Sequence, residues 1–375
     1  MSQLRSRLDA ELRERDALGL RRELRVPSGL DLCSNDYLRL SVHPHVKARM
    51  AEAIRSDGCG SGGSRVLGGH RGVFSEVEAA FAAFKGAERA LYFSSGYLAN
   101  LAVLSTLTQR HDRILSDRLN HASLRDGARL SPADTAVFPH TDGEALGRLL
   151  GRSCDGHTFV VTESLFSMDG DTPPLADYAE RCRRAGATLV VDEAHAVGLY
   201  GERGSGLMET ARLDPNEVVS INTAGKALGV SGAFVAGSSS VIEYLVQRAR
   251  PFVFSTAPPP GVAAALLASM AIIRAEPERR CRVLALARHL RTRLSAAGFA
   301  VAEGDSPIVP IVFGGAARTV AVAEDLQGRG FDVRAIRPPT VPAGTARLRL
   351  SVNAGLSETQ LDALVEALSC HVASS

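Results

Sequence analysis

The sequence predicts an α/β fold with a large domain built on a mostly parallel sheet and a smaller α/β domain at the C-terminus. Between about residues 86 and 240, short apolar runs rich in β-branched residues alternate with helical patterns. Strands buried on both faces of a parallel sheet have such continuous apolar runs. The proline-rich stretch STAPPPG (255–261) then interrupts the alternation, and 375 residues exceed what one simple core organises. Together these observations predict two domains.

Five apolar runs are the predicted strands of the large domain. They are ALYF (90–93), TFVVT (158–162), TLVVDE (188–193), VVSIN (218–222) and GAFVAG (232–237). The helical patterns GYLANLAVLSTLTQ and PLADYAERCRRAG lie between them. Beyond the proline-rich stretch we predict two long helices and the strands FDVRAIRP and TARLRLSV. Ligands of open sheets bind beyond the carboxyl ends of the strands, so residues directly after a strand are the candidates for a site.

Composition and charge argue against several classes of protein. The formal net charge of +2 provides no electrostatic reason to expect nucleic acid or a membrane surface as partner. The N-terminus has a charged amphipathic helical pattern without the apolar core of a signal peptide, and no apolar run approaches the ~20 residues that span a bilayer. The six cysteines contain no C-x-x-C pair, and the ten histidines contain no H-E-x-x-H motif. We therefore expect a soluble cytoplasmic protein with reduced thiols and no metal.

Lysine is rare in this chain, since only three of the 43 basic residues are lysines. Arginine cannot replace lysine where a neutral amine attacks a carbonyl, because the guanidinium stays protonated. Lys47 and Lys85 lie in helical patterns and are expected on solvated faces. Lys226 lies in NTAGKALGVSGAFVAG, where small and apolar neighbours should desolvate the amine and lower its pKa. Lys226 is the candidate nucleophile, although this observation alone also fits chance.

Glycine-rich segments provide one candidate anion site. GCGSGG (58–63) formally matches G-x-G-x-x-G, but a helical pattern precedes it where a dinucleotide-binding motif requires a strand. Lys226 follows a glycine but precedes alanine, so this segment is not a Walker A loop. SSGYLAN (94–100) follows a predicted strand and opens a helix, so the N–H groups of Gly96 and Tyr97 could face an anion. An ordinary strand-to-helix turn explains the segment equally well.

A carboxylate and a histidine follow the predicted strand TLVVDE. Asp192 lies near the end of that strand, and His195 comes three residues later. A carboxylate beside apolar neighbours is costly unless a cation pairs with it, and a protonated pyridine nitrogen would serve. The sequence D-E-A-H alone also fits a Mg²⁺-dependent nucleotidase or helicase, but no Walker A loop accompanies it. His195 alone also fits a hydrogen-bonded core histidine.

Eight motifs, taken in order along nearly the whole chain, resemble one family. They are SNDYL (34–38), GSGGSRVLGG (60–69), SSGYLAN, LNHASL (119–124), FSMDGD (166–171), DEAHAVG (192–198), TAGKALGVSG (223–232) and AIRPPTVPAGTARLRL (335–350). They are similar to the α-oxoamine synthases, fold-type-I pyridoxal-phosphate enzymes with an aminotransferase-like fold, which condense an amino acid with an acyl thioester. RPPTVPAGTARLRL is most similar to members that join L-alanine to a pimeloyl thioester in biotin biosynthesis. DEAHAVGLYG is also similar to glycine-using members, namely 5-aminolevulinate synthase and 2-amino-3-ketobutyrate CoA ligase.

The resemblance implies a pyridoxal 5'-phosphate site with four catalytic residues. Lys226 would hold the cofactor as a Schiff base and then remove the α-proton of the substrate. Asp192 would pair with the pyridinium nitrogen, and His195 would hydrogen-bond the phenolic oxygen. His121, in LNHASL, would stack on the ring and contact the substrate. Further cofactor contacts are implied for Gly96, Tyr97, Ser167, Thr223 and Thr256. Thr256 would come from a partner subunit, although it also fits a residue that caps a turn.

The resemblance also implies the substrate contacts. Arg349 resembles the arginine that binds the amino-acid carboxylate through a bidentate fork. Arg21 and Thr340 match contacts to the acyl group, and Asn35 lies near the substrate in relatives. Two alternatives stay open from the residues themselves. Arg21 adjoins a second arginine on a charged helical pattern and fits a solvated face, and strand alternation is expected to turn only one of Arg347 and Arg349 inward.

Two positions depart from the family pattern. Arg39 replaces the usual glycine of SNDYLGL, and HTD (140–142) replaces the usual HND. The segment between Arg22 and Leu30 is also shorter than in many relatives. These departures concern the side from which the acyl group enters more than the cofactor site.

The resemblance implies three segments and a partner subunit. The segments are an N-terminal helix with a substrate-contacting stretch (1–40), a large cofactor-binding domain (41–257) and a small α/β domain (258–375). We expect a homodimer with shared active sites, in which coenzyme A or an acyl carrier protein carries the acyl group. A glycine-using enzyme and a non-catalytic binding module are the alternatives. The joint presence of Lys226, Asp192, His195 and His121 argues against the binding module.

Overall fold

The computed structural model describes residues 2–372 of the chain. These residues form two compact units. The larger unit contains Asn35–Ser167 and Asp171–Arg282. The smaller unit contains the chain up to Ser34, the segment Met168–Gly170 and the chain from Val283 onward. The boundaries of these two units differ from those of the three predicted segments. The roles predicted for the three segments stay predictions.

Helices and strands alternate through most of the described chain. The strands are β1 Leu30–Asp31, β2 Arg89–Phe93, β3 Arg113–Asp117, β4 Asp134–Phe138, β5 Thr158–Glu163, β6 Thr188–Asp192, β7 Val218–Thr223, β8 Ala233–Gly237, β9 Ile308–Gly314, β10 Phe331–Asp332, β11 Ala335–Ile336 and β12 Ala346–Ser351. The helices are α1 Ser2–Ala17, α2 Pro44–Asp57, α3 Gly72–Lys85, α4 Gly96–Leu107, α5 Ala122–Leu130, α6 Gly143–Leu150, α7 Leu175–Ala185, α8 Leu207–Thr210, α9 Ser239–Arg248, α10 Arg250–Val253, α11 Pro260–Ala275, α12 Pro277–Ala296, α13 Ala316–Gly328 and α14 Glu358–Ser369. The five predicted runs lie in β2, β5, β6, β7 and β8, which confirms those strands. The predicted helices α4, α7, α11 and α12 are confirmed as well.

The larger unit is built on one seven-stranded sheet in the order β2-β8-β7-β6-β5-β3-β4. The strands β3 to β7 pair in parallel, whereas β8 runs antiparallel to both β2 and β7. The prediction of a mostly parallel sheet is therefore confirmed. Two antiparallel pairings in succession turn β2 back into the direction of β7. The carboxyl ends of β2 to β7 consequently lie at one edge of the sheet, here named the carboxyl edge.

The sequence patterns do not predict β3 and β4. Charged residues at both ends of RILSD and at the start of DTAVF shorten the apolar runs to two or three residues. β4 is also an edge strand, and most of its residues are partly or fully exposed. Both segments become strands because their backbone groups pair with neighbouring strands.

The sheet of the larger unit buries apolar side chains on both faces. In β5, Phe159 and Val161 pack into one core, and Val160 between them packs into a second core with Tyr178 of α7. This alternation follows from the two-residue period of a strand. Each such side chain contributes about 1.5–3 kcal/mol when it is fully buried. Burial on two faces explains why the predicted strands are continuous apolar runs.

The smaller unit contains an antiparallel sheet in the order β11-β12-β9 and a separate parallel pair formed by β1 and β10. Its core includes Leu290, Val309, Leu348 and Leu364. The predicted strand FDVRAIRP is wrong as one element, because β10 and β11 are short strands that pair in different sheets. The predicted strand TARLRLSV contains β12 and is confirmed.

Two expectations about side-chain exposure are wrong. Lys85 is not on a solvated face, because its side chain is 1% exposed, pairs with Glu193 and donates to the Ser205 carbonyl at 2.6 Å. A buried ammonium requires such partners. Arg347 and Arg349 are both buried in β12. Residues two apart on a strand share a face, so strand alternation does not separate these two arginines.

Both departures from the family pattern lie where the backbone is left-handed. Arg39 has a φ of 57° and Thr141 a φ of 54°. Glycine adopts this conformation without steric penalty, and asparagine tolerates it better than a β-branched residue. The usual glycine and asparagine of the family therefore suit this backbone better than the residues present here.

No helix among residues 2–372 is long and apolar enough to cross a bilayer. Each of the six cysteines is a free thiol.

Candidate active site

A cavity of about 180 Å³ lies at the carboxyl edge of the large sheet. It is lined by seven of the residues that the sequence predicts, namely Gly96, Tyr97, His121, Asp192, His195, Thr223 and Lys226. Some of them follow β2 or β3. The others lie at the ends of β6 and β7 or in the loops after these two strands. The topology of the sheet brings these segments together, although up to 130 residues separate them in the chain, between Gly96 and Lys226. Asn100, Ser123, Glu163, Ala194 and Ile221 complete the lining.

Asp192 presents a buried carboxylate to this cavity. It is 6% exposed and lies at the end of β6. One carboxylate oxygen accepts a hydrogen bond from Asn100 Nδ2 at 2.8 Å, and the other accepts one from the Ala194 N–H at 2.9 Å. Asn100 also donates to Ser123 Oγ at 2.8 Å. These bonds fix the carboxylate, whose burial favours a cationic partner in the cavity. Sequence reasoning misses Asn100, although it ends the motif SSGYLAN and is a polar residue on a buried helix face.

Lys226 lies in the loop after β7, in direct contact with His195. Its Nζ lies 2.8 Å from Nε2 of His195, and Nδ1 of the same ring lies 2.7 Å from the hydroxyl of Tyr37. That hydroxyl donates to Asn35 Oδ1 at 3.1 Å. Asn35 is thus positioned as a partner of Tyr37, and its predicted proximity to substrate stays a prediction. Tyr37 lies within SNDYL but is not predicted as a site residue, because its partner His195 is 158 residues away in the chain.

His121 caps helix α5 and faces the cavity. Its Nδ1 accepts the N–H of Ser123 at 3.2 Å and lies 2.7 Å from the Ser123 hydroxyl. Burial lowers the pKa of His121; Asp192 opposes this shift, and Lys226 adds to it. The result favours a neutral imidazole in the cavity at neutral pH.

Glu163 is a second buried carboxyl group beside Asp192. The two residues are register partners on the parallel strands β5 and β6. Burial and the charge of Asp192 raise the pKa of Glu163 to about 8, against the opposing charge of Lys226. Glu163 accepts the backbone N–H of His121 at 2.6 Å and a backbone hydrogen bond from Ser167. Sequence reasoning misses it, although it directly follows the predicted strand TFVVT.

The N-terminus of α4 lines the cavity. Ser95 accepts the Leu98 N–H through its side chain at 3.2 Å and the Ala99 N–H through its carbonyl at 3.1 Å. Within the described residues, no hydrogen-bond partner satisfies the N–H groups of Gly96 and Tyr97. Such N–H groups, at the positive end of the helix dipole, bind anions. A Cβ on Gly96 would lie 2.8 Å from Thr223 Oγ1, so the backbone approaches this closely only with glycine.

The residues of the cavity fit pyridoxal phosphate. Free N–H groups at the start of α4 suit its phosphate, the buried Asp192 suits a protonated ring nitrogen, and Lys226 suits the aldehyde carbon. This agreement comes from the chemistry of the donors and from the close approach at Gly96. The same set does not match a metal site, because Lys226 and the helix N-terminus favour an anion.

Ser167 and Thr256 do not line the cavity of their own chain. Ser167 contacts Glu163 through its backbone N–H. Thr256 forms an isolated β-bridge with Ser64, and the next residue donates its N–H to the Gly63 carbonyl at 2.9 Å. Their predicted cofactor contacts stay predictions.

Three predicted substrate contacts belong to the smaller unit. Arg21 pairs with Asp16 at 2.7 Å. The hydroxyl of Thr340 accepts a hydrogen bond from Arg22 at 3.2 Å, and Arg349 donates to Ser351 Oγ at 2.8 Å. Within this unit a hydrogen bond thus joins Thr340 to Arg22. The predicted substrate contacts of Arg21, Thr340 and Arg349 stay predictions.

Comparison with known proteins assigns the chain to a family. The family model described as aminotransferase class I and II matches residues 27–368. The chain belongs to this family. The class I and II aminotransferase assignment confirms the predicted fold type I, and the predicted resemblance to α-oxoamine synthases is confirmed by relatives within that family.

The relatives are similar along nearly their whole length. The chain is 47% identical to the 8-amino-7-oxononanoate synthase of Anaeromyxobacter dehalogenans, over 96% of this chain and 94% of that protein. The 8-amino-7-oxononanoate synthase structure from Francisella tularensis has a TM-score of 0.80 at 30% identity, over 92% of this chain and 98% of that one. A serine palmitoyltransferase from S. paucimobilis with a bound PLP–myriocin aldimine has a TM-score of 0.90 at 30% identity, over 97% and 96%.

Proposed function

We propose that this chain condenses L-alanine with a pimeloyl thioester to give 8-amino-7-oxononanoate, CO2 and the free thiol, with pyridoxal phosphate as cofactor. The observation that carries the proposal is the cavity, which places a lysine, a buried carboxylate and two histidines beside a helix N-terminus. The similar protein from A. dehalogenans is named for this product. The reaction is an acyl transfer within biotin biosynthesis.

The cofactor would be held at three places. The N–H groups of Gly96 and Tyr97, with Thr223 beside them, would bind its phosphate; Asp192 would pair with its ring nitrogen; and Lys226 would hold it covalently. When bound, pyridoxal phosphate supplies a ring that stores the electron pair left when a bond to the substrate α-carbon breaks. Asp192 keeps the ring nitrogen protonated, because its attraction to a cation is stronger in a buried cavity than in water. Ser167 is proposed as a further contact.

Lys226 is the residue that moves protons during the reaction. Its Nζ contacts His195 Nε2 at 2.8 Å, so the two groups can exchange a proton directly. Its neighbours Ala224, Ala227 and Leu228 are buried, and Lys226 itself is partly buried. A neutral Lys226 amine can remove the α-proton of alanine and return a proton to the product.

His121 presents an uncharged ring to the cofactor and substrate. Burial lowers its pKa, so at neutral pH the imidazole is neutral and can lie against an electron-poor ring without electrostatic repulsion. Its side-chain contact with Ser123 and its backbone contact with Glu163 hold the ring in place.

The proposed contacts to the two substrates follow the family resemblance. We propose Arg349 for the carboxylate of alanine, because a guanidinium binds a carboxylate through two parallel hydrogen bonds. We propose Arg21 and Thr340 for the acyl group, with Arg22 as the residue that orients the Thr340 hydroxyl. Asn35 is proposed near the substrate.

We also propose a cytoplasmic homodimer in which Thr256 of one subunit reaches the phosphate of the other. The basis is the resemblance of STAPP (255–259) to the family segment that reaches the phosphate of a neighbouring subunit. Mixing inactive Lys226→Ala subunits with inactive Thr256→Ala subunits should restore activity. No recovery despite demonstrated subunit exchange would contradict shared sites.

The proposed function is tested by kcat/KM for alanine and glycine, each with pimeloyl, succinyl and acetyl thioesters on coenzyme A and on a carrier protein. Alanine should exceed glycine by roughly 10–200-fold, because one methyl group contributes only about 1–3 kcal/mol to discrimination. The pimeloyl thioester should exceed the acetyl thioester more strongly, since its distal carboxylate would otherwise leave a polar partner unpaired. If glycine with a short acyl group wins, this chain is a glycine-using member of the family.

A further inference from the structure

A row of four side chains connects the Asn35–Tyr37 segment to the reactive lysine. Asn35, Tyr37, His195 and Lys226 contact one another in this order, at 3.1, 2.7 and 2.8 Å. Tyr37 is fully buried and His195 is 4% exposed. A buried hydroxyl that contacts a histidine ring influences which ring nitrogen carries hydrogen.

The number of hydrogens fixes which atom donates and which accepts in each contact of this row. A tyrosine hydroxyl has one hydrogen, and Tyr37 donates it to Asn35 Oδ1, which is an acceptor. The contact at 2.7 Å between the hydroxyl oxygen and Nδ1 of His195 then requires the hydrogen to lie on Nδ1. In a neutral imidazole the other nitrogen is bare. Nε2 therefore accepts a hydrogen bond from the ammonium of Lys226.

We propose that Tyr37 is a positioning residue that keeps hydrogen on Nδ1 of His195 and leaves Nε2 as the ring nitrogen that exchanges a proton with Lys226. In this exchange the ammonium of Lys226 loses one proton and Nε2 gains it. The products are a neutral amine and an imidazolium whose Nδ1–H stays bonded to the Tyr37 oxygen. The reverse transfer restores both groups, so no further reactant is needed.

Other charged groups act on the same ring. The titratable groups that line the cavity with His195 are Lys226, Asp192, Glu163, His121 and Tyr97. Tyr37 differs from them because it contacts the nitrogen that points away from Lys226. It acts on proton exchange through His195, whereas the other groups touch the cavity directly.

The direct test is the position of the hydrogen on His195, measured by 15N NMR on the full chain without cofactor and labelled at histidine. His195→Asn identifies the signals by their disappearance. We expect a protonated Nδ1 and a bare Nε2 in the neutral ring of the wild type. A neutral ring with hydrogen on Nε2 would overturn the proposal, whatever the reaction of the enzyme.

Two variants separate the hydroxyl from its acceptor. Tyr37→Phe should give a mixture of the two tautomers. Asn35→Ala should move the hydrogen to Nε2, because the Tyr37 hydroxyl is then able to donate to Nδ1. Tyr178→Phe removes the hydroxyl of another fully buried tyrosine, on α7, and should leave the His195 signals unchanged. Unaltered His195 signals in both Tyr37→Phe and Asn35→Ala would refute the proposal, and either variant suffices if the other does not fold.

The cofactor-loaded enzyme provides a second measurement. In Tyr37→Phe the pH dependence of the bound cofactor's absorbance should shift, and in Tyr178→Phe it should not. A third measurement, turnover, rests on the proposed function. In Tyr37→Phe, kcat with alanine and pimeloyl thioester should fall about 5- to 100-fold while KM changes little. An equal rise in KM without loss of kcat would contradict the positioning role. A wild type that makes no product would refute the proposed function and leave the tautomer result standing.

Discussion

His140 joins three loops at the carboxyl edge through two carboxylates. Its Nδ1 lies 2.9 Å from Asp117, at the end of β3, and its Nε2 lies 2.8 Å from Asp171, after the FSMDG segment. Burial disfavours the charged ring, but hydrogen bonds and attraction from both carboxylates outweigh it and raise the pKa of His140 to about 10. We predict that the protonated ring stabilises the larger unit.

The magnitude and its pH range follow from the pKa. A rise from 6.5 to about 10 corresponds to at most ~5 kcal/mol, at about 1.36 kcal/mol per unit. The ring is only half-buried and solvent screens the pairs, so we expect about 1–3 kcal/mol. Because the pKa is raised in the folded state, this stabilisation is complete below about pH 6.5 and is lost as the pH rises through about 10.

The assay is thermal unfolding of wild type and His140→Asn across this range. At neutral pH the variant should melt roughly 2–12 °C lower, at about 2–4 °C per kcal/mol for a unit of this size. Above about pH 10 the two Tm values should converge, since the wild type has then lost the proton. His45→Asn, at an exposed position of α2, is the control and should change little. A gap that stays constant from neutral pH to above about pH 10 would refute the ion-pair explanation.

Two further predictions concern the lysine and the strained backbone. Borohydride reduction of the cofactor-loaded protein, followed by digestion and mass spectrometry, should place the pyridoxyl label on Lys226. Lys85 is buried against a carboxylate, and Lys47 is exposed on α2. A label on Lys85 or Lys47 would refute the assignment. Thr141→Asn should raise the free energy of unfolding by about 1 kcal/mol, since asparagine tolerates the left-handed backbone better than threonine. Thr141→Ala is the matched control without that preference, and equal Tm values for the two variants would contradict the explanation.

The cofactor side of the site is the part that local sequence predicts best. Lys226, Asp192 and His195 each lie at or shortly after a strand of the sheet, and the apolar runs locate those strands. Parallel strands bring their carboxyl ends to one edge, so residues after separate strands become neighbours. The same rule identifies Glu163, which ends β5, once the strand is extended by a single residue beyond the predicted TFVVT.

Other parts of the site depend on contacts that no local pattern shows. Tyr37 and His195 are 158 residues apart, and Lys85 and Glu193 are 108 residues apart. A lysine at the end of a helical pattern, before glycine, is typical of an exposed position. In the structure Lys85 is buried against Glu193 and the Ser205 carbonyl, which are far from it in the chain. The apolar periodicity of the sequence therefore predicts helix α3, but it does not predict the residue with which Lys85 pairs at the end of that helix.

Two of the three lysines lie where arginine would not serve, for different reasons. At Lys226 a guanidinium could not serve, because the chemistry requires an amine that loses its proton. At Lys85 the limit is one of size, since the ammonium lies against Glu193 and 2.6 Å from the Ser205 carbonyl. The space is so narrow that a Cβ on Gly206 would lie 2.3 Å from Glu193 Oε2. A planar guanidinium is larger than an ammonium and would displace these groups.

The Lys85–Glu193 pair also connects the core to the reactive cavity. Glu193 follows Asp192 directly, and its carbonyl accepts the N–H groups of Ala196 and Val197. The turn that carries His195 is therefore built on the backbone of a residue whose side chain is held by a buried ion pair. Breaking one partner of a buried pair leaves an uncompensated charge and is strongly destabilising. The pair thus links the last residue of α3 to the turn that carries His195.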